Sequence, residues 1–352
     1  MFEDVYYKDV RKNKDVVFID VRSPSEYEES TIPGAVNVPL FNDEERAEVG
    51  TTYKKVGREQ AKELGLQIAS RKLPDLISQI RKYADERKPV IFCWRGGMRS
   101  KSVATVADLM GIPCYRLIGG YRQYRSDVVE RLGNYELKAR LVTLHGMTGV
   151  GKTEILGLLH AAGEPVIDLE ALAGHRGSTF GHLGMKPNNQ RLFESLVVEE
   201  LERLQNQPYI IMEAESKRIG RVNLPDFLLE KRNEGIHFML HAPLHIRIER
   251  ILKQYLVGTD DFHEKVSQSF RAIEKKLSPQ NRSLAWQYIE ERQYADFVGL
   301  LLVHYYDPRY KHSLQKYDVS FIQVDSTDLF ACAKTIKEWI YENLFARPSF
   351  VK

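Results

Sequence analysis

The stretch LVTLHGMTGVGKTEIL, Leu141 to Leu156, decides how the larger part of the chain is built. An apolar run ends at Gly146; after four residues come Gly151, Lys152 and Thr153, and then an apolar pattern at helical spacing. G-x-x-x-x-G-K-T between a strand and a helix is the spacing of a phosphate-binding loop. Gly146, Gly149 and Gly151 free backbone N–H groups to wrap phosphate oxygens, Lys152 supplies charge to the terminal phosphates, and Thr153 can hold Mg²⁺.

Downstream of the loop the alternation continues. PVIDLE, YIIMEA and IHFMLHA read as strands, NNQRLFESLVVEELERLQNQ and LPDFLLEKRNEG as helices, and VSFIQVD as a last strand after a tyrosine-rich helical insertion at about 245–316. Five parallel strands with covering helices are expected. Asp168 and Glu213 are candidates for a metal or diphosphate site, Glu213 because it ends an apolar strand as a Walker B acid does. Loops carrying Arg176 and Arg218 fall on the same carboxyl edge and offer contacts to anions or RNA. In YYDPRYKH, Tyr305 to His312, aromatics and cations are mixed, so Tyr305, Tyr306, Arg309 and Tyr310 are the expected RNA contacts; core packing is their competing role.

Upstream, VIFCWRGGMRSKS delivers Cys93 from an apolar strand into a loop with two glycines, Arg95 and Arg99, ahead of a helix. Backbone N–H groups of such a loop, a helix N-terminus and two guanidinium groups all favour a thiolate and an anion beside it. Cys93 therefore reads as a nucleophile that carries a transferred atom or attacks a phosphoryl group. Cys114 and Cys332 lack this setting and read as buried structural thiols. Strands DVVFIDVR, AVNVPL, PVIFCW and CYRLIGG alternate with helices, giving a first α/β domain over residues 1–133; the pattern loosens at Gly133 to Lys138, and the second domain covers 138–352.

Composition sets the frame. Hydrophobic residues make up 43% and charged residues 28% of 352 positions, which suits two globular domains. Three cysteines without paired spacing exclude a disulfide framework and a cysteine-rich zinc site. No apolar stretch is long enough for a membrane span and no signal-peptide pattern opens the chain, so a cytoplasmic protein is expected. A net charge of +3 is too small to announce a nucleic-acid binder by itself.

Residues 1 to about 130 resemble the rhodanese family: FIDVRSPSEYEESTIPGAVNVPL is similar to its opening signature, the Cys93 loop to its active site and YRLIGGYRQYR to its closing segment. That family moves a chalcogen atom on a cysteine. Asp20 and Arg22 also belong to its pattern and read as an ion pair or cap. Common sulfurtransferase loops close from cysteine to arginine in six residues, whereas Cys93 to Arg99 spans seven, which suits a larger or tetrahedral ligand. Cell-cycle phosphatases use such a loop on this fold, yet no carboxylate within this loop offers a general acid.

The fold class is thus an N-terminal rhodanese-like α/β domain followed by a P-loop NTPase-like parallel-sheet domain with a helical insertion. This pairing, with VIDLEALAGHRGSTFG and MEAESKRIG after the P-loop, closely resembles the bacterial tRNA 2-selenouridine synthase family. The resemblance implies an enzyme that converts wobble 2-thiouridine of tRNA to 2-selenouridine through an S-geranylated intermediate. Selenophosphate and geranyl diphosphate would be co-substrates, Cys93 an S-selanylcysteine, and a selenophosphate-producing enzyme a partner. The alternative is a rhodanese-type sulfurtransferase fused to a small-molecule kinase.

Overall fold

The computed structural model describes residues 1–255, 262–315 and 317–345. It divides into two compact units, Met1–Asn134 with Glu194–Val198, and Tyr135–Phe193 with Glu199–Lys352.

The first unit is built on parallel strands β1 (Glu3–Val5), β2 (Val16–Asp20), β3 (Val36–Asn37), β4 (Lys88–Phe92) and β5 (Tyr115–Leu117) in the order β1-β5-β4-β2-β3. The central β2 and β4 are buried along almost their whole length, which is why their sequences are unbroken apolar runs rather than alternating ones. Helices α1 (Tyr7–Val10), α2 (Pro24–Glu29), α3 (Asp43–Lys55), α4 (Arg58–Ala84), α5 (Met98–Leu109) and α6 (Gly120–Gly133) connect them. The run LPDLISQIRKYADE, Leu73 to Glu86, has apolar residues at helical spacing, yet the helix there, α4, begins at Arg58 and runs through Pro74. Proline removes one backbone hydrogen bond, and Ala61, Ala69, Leu76, Ile77 and Ile80, spaced along one buried face, hold the helix across it.

In the second unit the parallel strands are β6 (Arg140–Gly146), β7 (Val166–Ile167), β8 (Tyr209–Glu213), β11 (Ile236–His241) and β12 (Phe321–Asp325), in the order β12-β11-β6-β8-β7. A two-stranded hairpin, β9 (Arg218–Ile219) and β10 (Val222–Asn223), stands apart from them. The β6 strand lies in the middle, with Leu144 in register with Glu213 and Gly146 with Leu240. Helices α7 (Lys152–Ala161), α8 (Leu169–Ala173), α9 (Gln190–Arg203) and α10 (Asp226–Asn233) link the early strands, and α16 (Leu329–Ile340) closes the fold.

Between β11 and β12 the chain forms α11 (Leu244–Tyr255), α12 (Phe262–Arg271), α13 (Pro279–Glu290), α14 (Tyr294–Leu301) and α15 (Asp307–Leu314). These helices have an apolar core of their own that includes Phe270, Ile289, Phe297 and Leu301. A π-helical turn at Leu302–Tyr306 joins α14 to α15. Among the described residues no helix is long and apolar enough to cross a membrane.

Candidate functional site

Cys93 follows β4 directly and is 3% exposed. Its loop is held from behind by the segment that ends the first unit. Tyr121 N–H donates to the Cys93 carbonyl at 2.9 Å, Arg122 N–H to the Trp94 carbonyl at 2.9 Å, and Arg116 Nη1 to the Gly96 carbonyl at 3.3 Å. In a planar trans peptide the N–H points opposite the C=O. Tying back those three carbonyls therefore turns the Trp94, Arg95 and Gly97 N–H groups to the other side of the loop. Gly120, at φ +58°, makes the approach possible, since a Cβ there would lie 2.1 Å from the Cys93 carbonyl oxygen.

Two residues that the sequence pattern did not single out complete the cysteine site. Ser100 Oγ, fully buried, lies 3.2 Å from Cys93 Sγ. Glu26, in the first turn of α2, accepts from both terminal nitrogens of Arg99, at 2.6 and 3.3 Å. Burial opposes the charge of both partners, but their mutual hydrogen bonds and attraction outweigh it, lowering the Glu26 carboxyl and raising the Arg99 guanidinium. A carboxylate thus reaches the loop from α2, but it is held ionised on Arg99 and is not placed as a general acid. Arg95 is exposed. Asp20 and Arg22 form a fully buried ion pair at 2.6 Å, which is structural. Cys114 and Cys332 are buried, and burial pushes their thiols up to about 11 and about 12.

The phosphate loop is built by the same device. Arg247 Nε donates to the Thr148 carbonyl at 2.8 Å, and Arg250 Nη1 and Ser326 Oγ donate to the Val150 carbonyl at 2.9 and 2.8 Å. The N–H groups of Gly149 and Gly151 are turned the opposite way. Both glycines have left-handed φ, +83° and +94°. Arg247 is in turn fixed by Asp307 of α15 through paired bonds of 2.9 and 2.6 Å, so the insertion braces the loop. Lys152 Nζ rests on the Gly146 carbonyl at 3.1 Å.

Carboxylates crowd the carboxyl edge beside Lys152. Thr153 Oγ1 donates to Glu170 Oε2 at 3.1 Å, and the Glu170 N–H donates to Glu213 Oε1 at 2.7 Å. Asp168 is the N-cap of α8 and accepts from the Ala171 N–H. Glu213 is buried, and its Oε2 has no hydrogen-bond partner. Burial, then the neighbouring acids, raises Glu213 well above the ordinary carboxylate range; burial and Glu215 push Glu170 up to about 7. In the sequence PVIDLE offers both Asp168 and Glu170 as carboxylates near a strand end, and of the two it is Glu170, at the start of α8, that meets Thr153. Among the described residues no group of three or more His, Cys, Asp or Glu side chains is arranged to hold a metal.

A cavity of about 300 Å³ opens over the loop, lined by Gly146, Gly149, Gly151, Lys152, Thr153, Glu170, Arg176, Tyr306 and Tyr310 among others. A second cavity of about 60 Å³ shares Thr148, Ser178, Ile251 and Tyr306 with it, and its remaining lining includes Phe180, Leu183, Val266, Phe297 and Leu301. A cavity over the phosphate loop thus adjoins an apolar one through shared walls.

The expected RNA contacts are distributed differently from the sequence reading. Tyr305 is 5% exposed and packs in the core of the insertion, so it cannot stack on a base; its helical spacing reflected packing. Arg309 lies over the Tyr305 ring at 3.8 Å. The Tyr310 hydroxyl accepts from the Gly146 N–H at 2.6 Å, and Tyr306 lines both cavities. Arg176 reaches the larger cavity while donating to the Leu183 carbonyl, whereas Arg218 is exposed on the hairpin and donates to the Gly220 carbonyl.

Fold and sites together define a two-domain chain, a rhodanese-like domain followed by a P-loop domain. Residues 4–127 match the rhodanese-like domain family, and residues 139–341 match the family described as the tRNA 2-selenouridine synthase AAA domain. The chain belongs to the tRNA 2-selenouridine synthase family. A protein of that name from Hahella chejuensis is 32% identical over 328 residues, spanning 85% of each chain. The one from Ectopseudomonas mendocina is 33% identical over 334 residues, 86% of this chain and 88% of its own. That from Bdellovibrio bacteriovorus is 29% identical over 350 residues, covering 88% of this chain and 92% of its own.

Proposed function

We propose that this protein replaces the sulfur of wobble 2-thiouridine in tRNA with selenium in two half-reactions, taking geranyl diphosphate and selenophosphate as co-substrates. The thiocarbonyl sulfur attacks the first carbon of the geranyl chain, the carbon–oxygen bond breaks, and diphosphate departs with the electron pair. Alkylation turns a poor leaving group into a better one. Selenium then enters at C2 and geranylthiol leaves; counted over both reactants, selenophosphate and water supply the selenium and proton, and phosphate is released.

The observation that carries this reading is that the phosphate-loop cavity adjoins an apolar one, with Thr148, Ser178, Ile251 and Tyr306 in the walls of both. A nucleoside triphosphate offers the loop phosphates but has no alkyl tail to place against Phe297, Leu183 and Leu301. An alkyl diphosphate has both. Lys152 and the N–H groups of Gly149 and Gly151 grip the diphosphate and stabilise it as it leaves. Thr153 and Glu170, hard oxygen donors 3.1 Å apart, would hold Mg²⁺, which needs only one or two protein ligands beside phosphate oxygens and would neutralise the departing charge.

In the first unit, the loop N–H groups with Arg95 and Arg99 receive the phosphate oxygens of selenophosphate. Cys93 becomes an S-selanylcysteine when its thiolate and the selenide-level selenium together lose two electrons to a disulfide, phosphate leaving as water is consumed, and thiols return the two electrons when selenium passes to C2. The test supplies geranyl diphosphate and selenophosphate singly and together to 2-thiouridine RNA and identifies the nucleosides by mass spectrometry. Geranylated nucleoside with the first alone, and 2-selenouridine only with both, is expected. ATP hydrolysis or persulfide transfer without RNA would instead support a sulfurtransferase fused to a kinase.

A further inference from the structure

We propose that single-stranded RNA approaches the cysteine loop along a groove on α3 that ends at Arg99. This rests on the reading above that RNA is the substrate. The groove has a volume of about 480 Å³; its charged lining residues are Arg46, Lys54 and Arg99, and since Arg99 and Arg46 share the Glu26 carboxylate at 2.6 and 3.7 Å, one negative charge offsets part of three positive ones and the lining stays net positive. Tyr53, also in the lining, is 59% exposed, a large aromatic ring left in water beside the cations. Alternating positive charge and an open ring face is what a phosphodiester chain with an unstacked base requires.

The helix itself is shaped for this. None of the α3 residues is fully buried, and Val49 is the α3 side chain that packs against the core of the first unit. Gly50 lies in the groove, one turn before Lys54, at a place where an added Cβ would meet only the end of the Arg46 side chain at 3.8 Å. Packing therefore does not demand glycine, which disfavours a helix interior; its effect is to keep the groove open. The far end reaches Arg99, which closes the loop that starts at the buried Cys93. A polymer cannot follow the backbone down to a sulfur 3% exposed, so the groove would hold the strand while one nucleoside is turned inward.

Binding of an anticodon stem-loop RNA to Lys54→Glu, Tyr53→Ala and Gly50→Trp full-length proteins tests this, with selenium loading of Cys93 from selenophosphate and a disulfide oxidant, without RNA, measured in parallel. Folding is checked by circular dichroism and by recovery of binding in Lys54→Arg. Each of the first three variants should bind RNA at least about fivefold more weakly. Lys54→Glu should also flatten the dependence of log K on log salt by about 0.7 or more. Loading should be unchanged. RNA affinity and salt slope equal to the parent's would overturn the proposal, as would lost loading with RNA binding intact, which would make the groove a site for the small anion. Failure of the parent protein to load Cys93 would count against the proposed function and leave the RNA result to decide the groove.

Discussion

Arg99 and Glu26, seventy-three positions apart in sequence, form a two-point ion pair beside the Cys93 loop, with nitrogen–oxygen distances of 2.6 and 3.3 Å. A forked guanidinium held by both carboxylate oxygens has one orientation rather than many. Glu26 therefore acts on Arg99 and not on substrate. Glu26→Gln should slow selenium loading of Cys93 by roughly ten- to a hundredfold, since small misplacements of a positioning group cost that much. Arg99→Lys should not restore the rate in the Glu26→Gln background. Loading kinetics by mass spectrometry of the intact protein would read both.

The Asp20–Arg22 pair has a different kind of consequence. Both residues are essentially inaccessible, and Arg22 also lies over the Tyr121 ring at 4.4 Å. Asp20→Asn leaves a buried guanidinium uncompensated and should cost about 3–5 kcal/mol of stability. Cys93→Ser removes no charge partner and should leave the unfolding midpoint in denaturant nearly unchanged. Equilibrium denaturation distinguishes the structural pair from the reactive thiol next to it.

Glu170 makes stability depend on pH in a definite direction. Burial and Glu215 push its carboxyl up to about 7, against 4.5 unperturbed. The folded chain holds this proton while the unfolded chain releases it, so the group's contribution to stability falls as pH rises from about 4.5 to about 7. Glu170→Gln should match the parent below that window and be more stable above it. His145, which burial and His237 bring down to about 3, has the opposite slope below its ordinary 6.5, but it is present in both proteins and cancels in the difference. Thermal unfolding across the range measures this.

The apolar cavity should set the length of the alkyl chain. Ile251 stands at the junction of the two chambers and Leu183 lies in the apolar lining. Ile251→Phe should lose geranyl transfer while inorganic diphosphate still binds. Leu183→Ala should accept farnesyl diphosphate better than the parent does. Competition among dimethylallyl, geranyl and farnesyl diphosphates reads the change.

Much of the fold was legible because it rests on local signals. Central parallel strands are unbroken apolar runs, and Gly146 to Thr153 must sit between a strand and a helix to bind phosphate. β1 was not legible: three residues, none fully buried, carry no periodicity. The long start of α4 was masked by Pro74, whose breaker role is overridden by packing. Cys93 was visible from its neighbours in the chain, and so was Glu170 beside Asp168 at the end of an apolar strand, whereas Glu26 and Ser100 reach the cysteine site only through tertiary structure. Tyr305 shows the converse, since helical spacing alone does not separate an exposed ring from a packed one.

The central claim is that the two loops serve two separable half-reactions, with selenium on Cys93 and diphosphate on the phosphate loop. The most direct measurement gives Cys93→Ser and Lys152→Ala proteins both 2-thiouridine RNA and pre-geranylated RNA, with geranyl diphosphate and selenophosphate present, and quantifies nucleosides by mass spectrometry. Cys93→Ser should accumulate geranylated nucleoside and make no 2-selenouridine from either RNA. Lys152→Ala should fail on 2-thiouridine RNA yet make 2-selenouridine from the pre-geranylated one. Undiminished 2-selenouridine from Cys93→Ser, or normal geranylation by Lys152→Ala, would contradict the account.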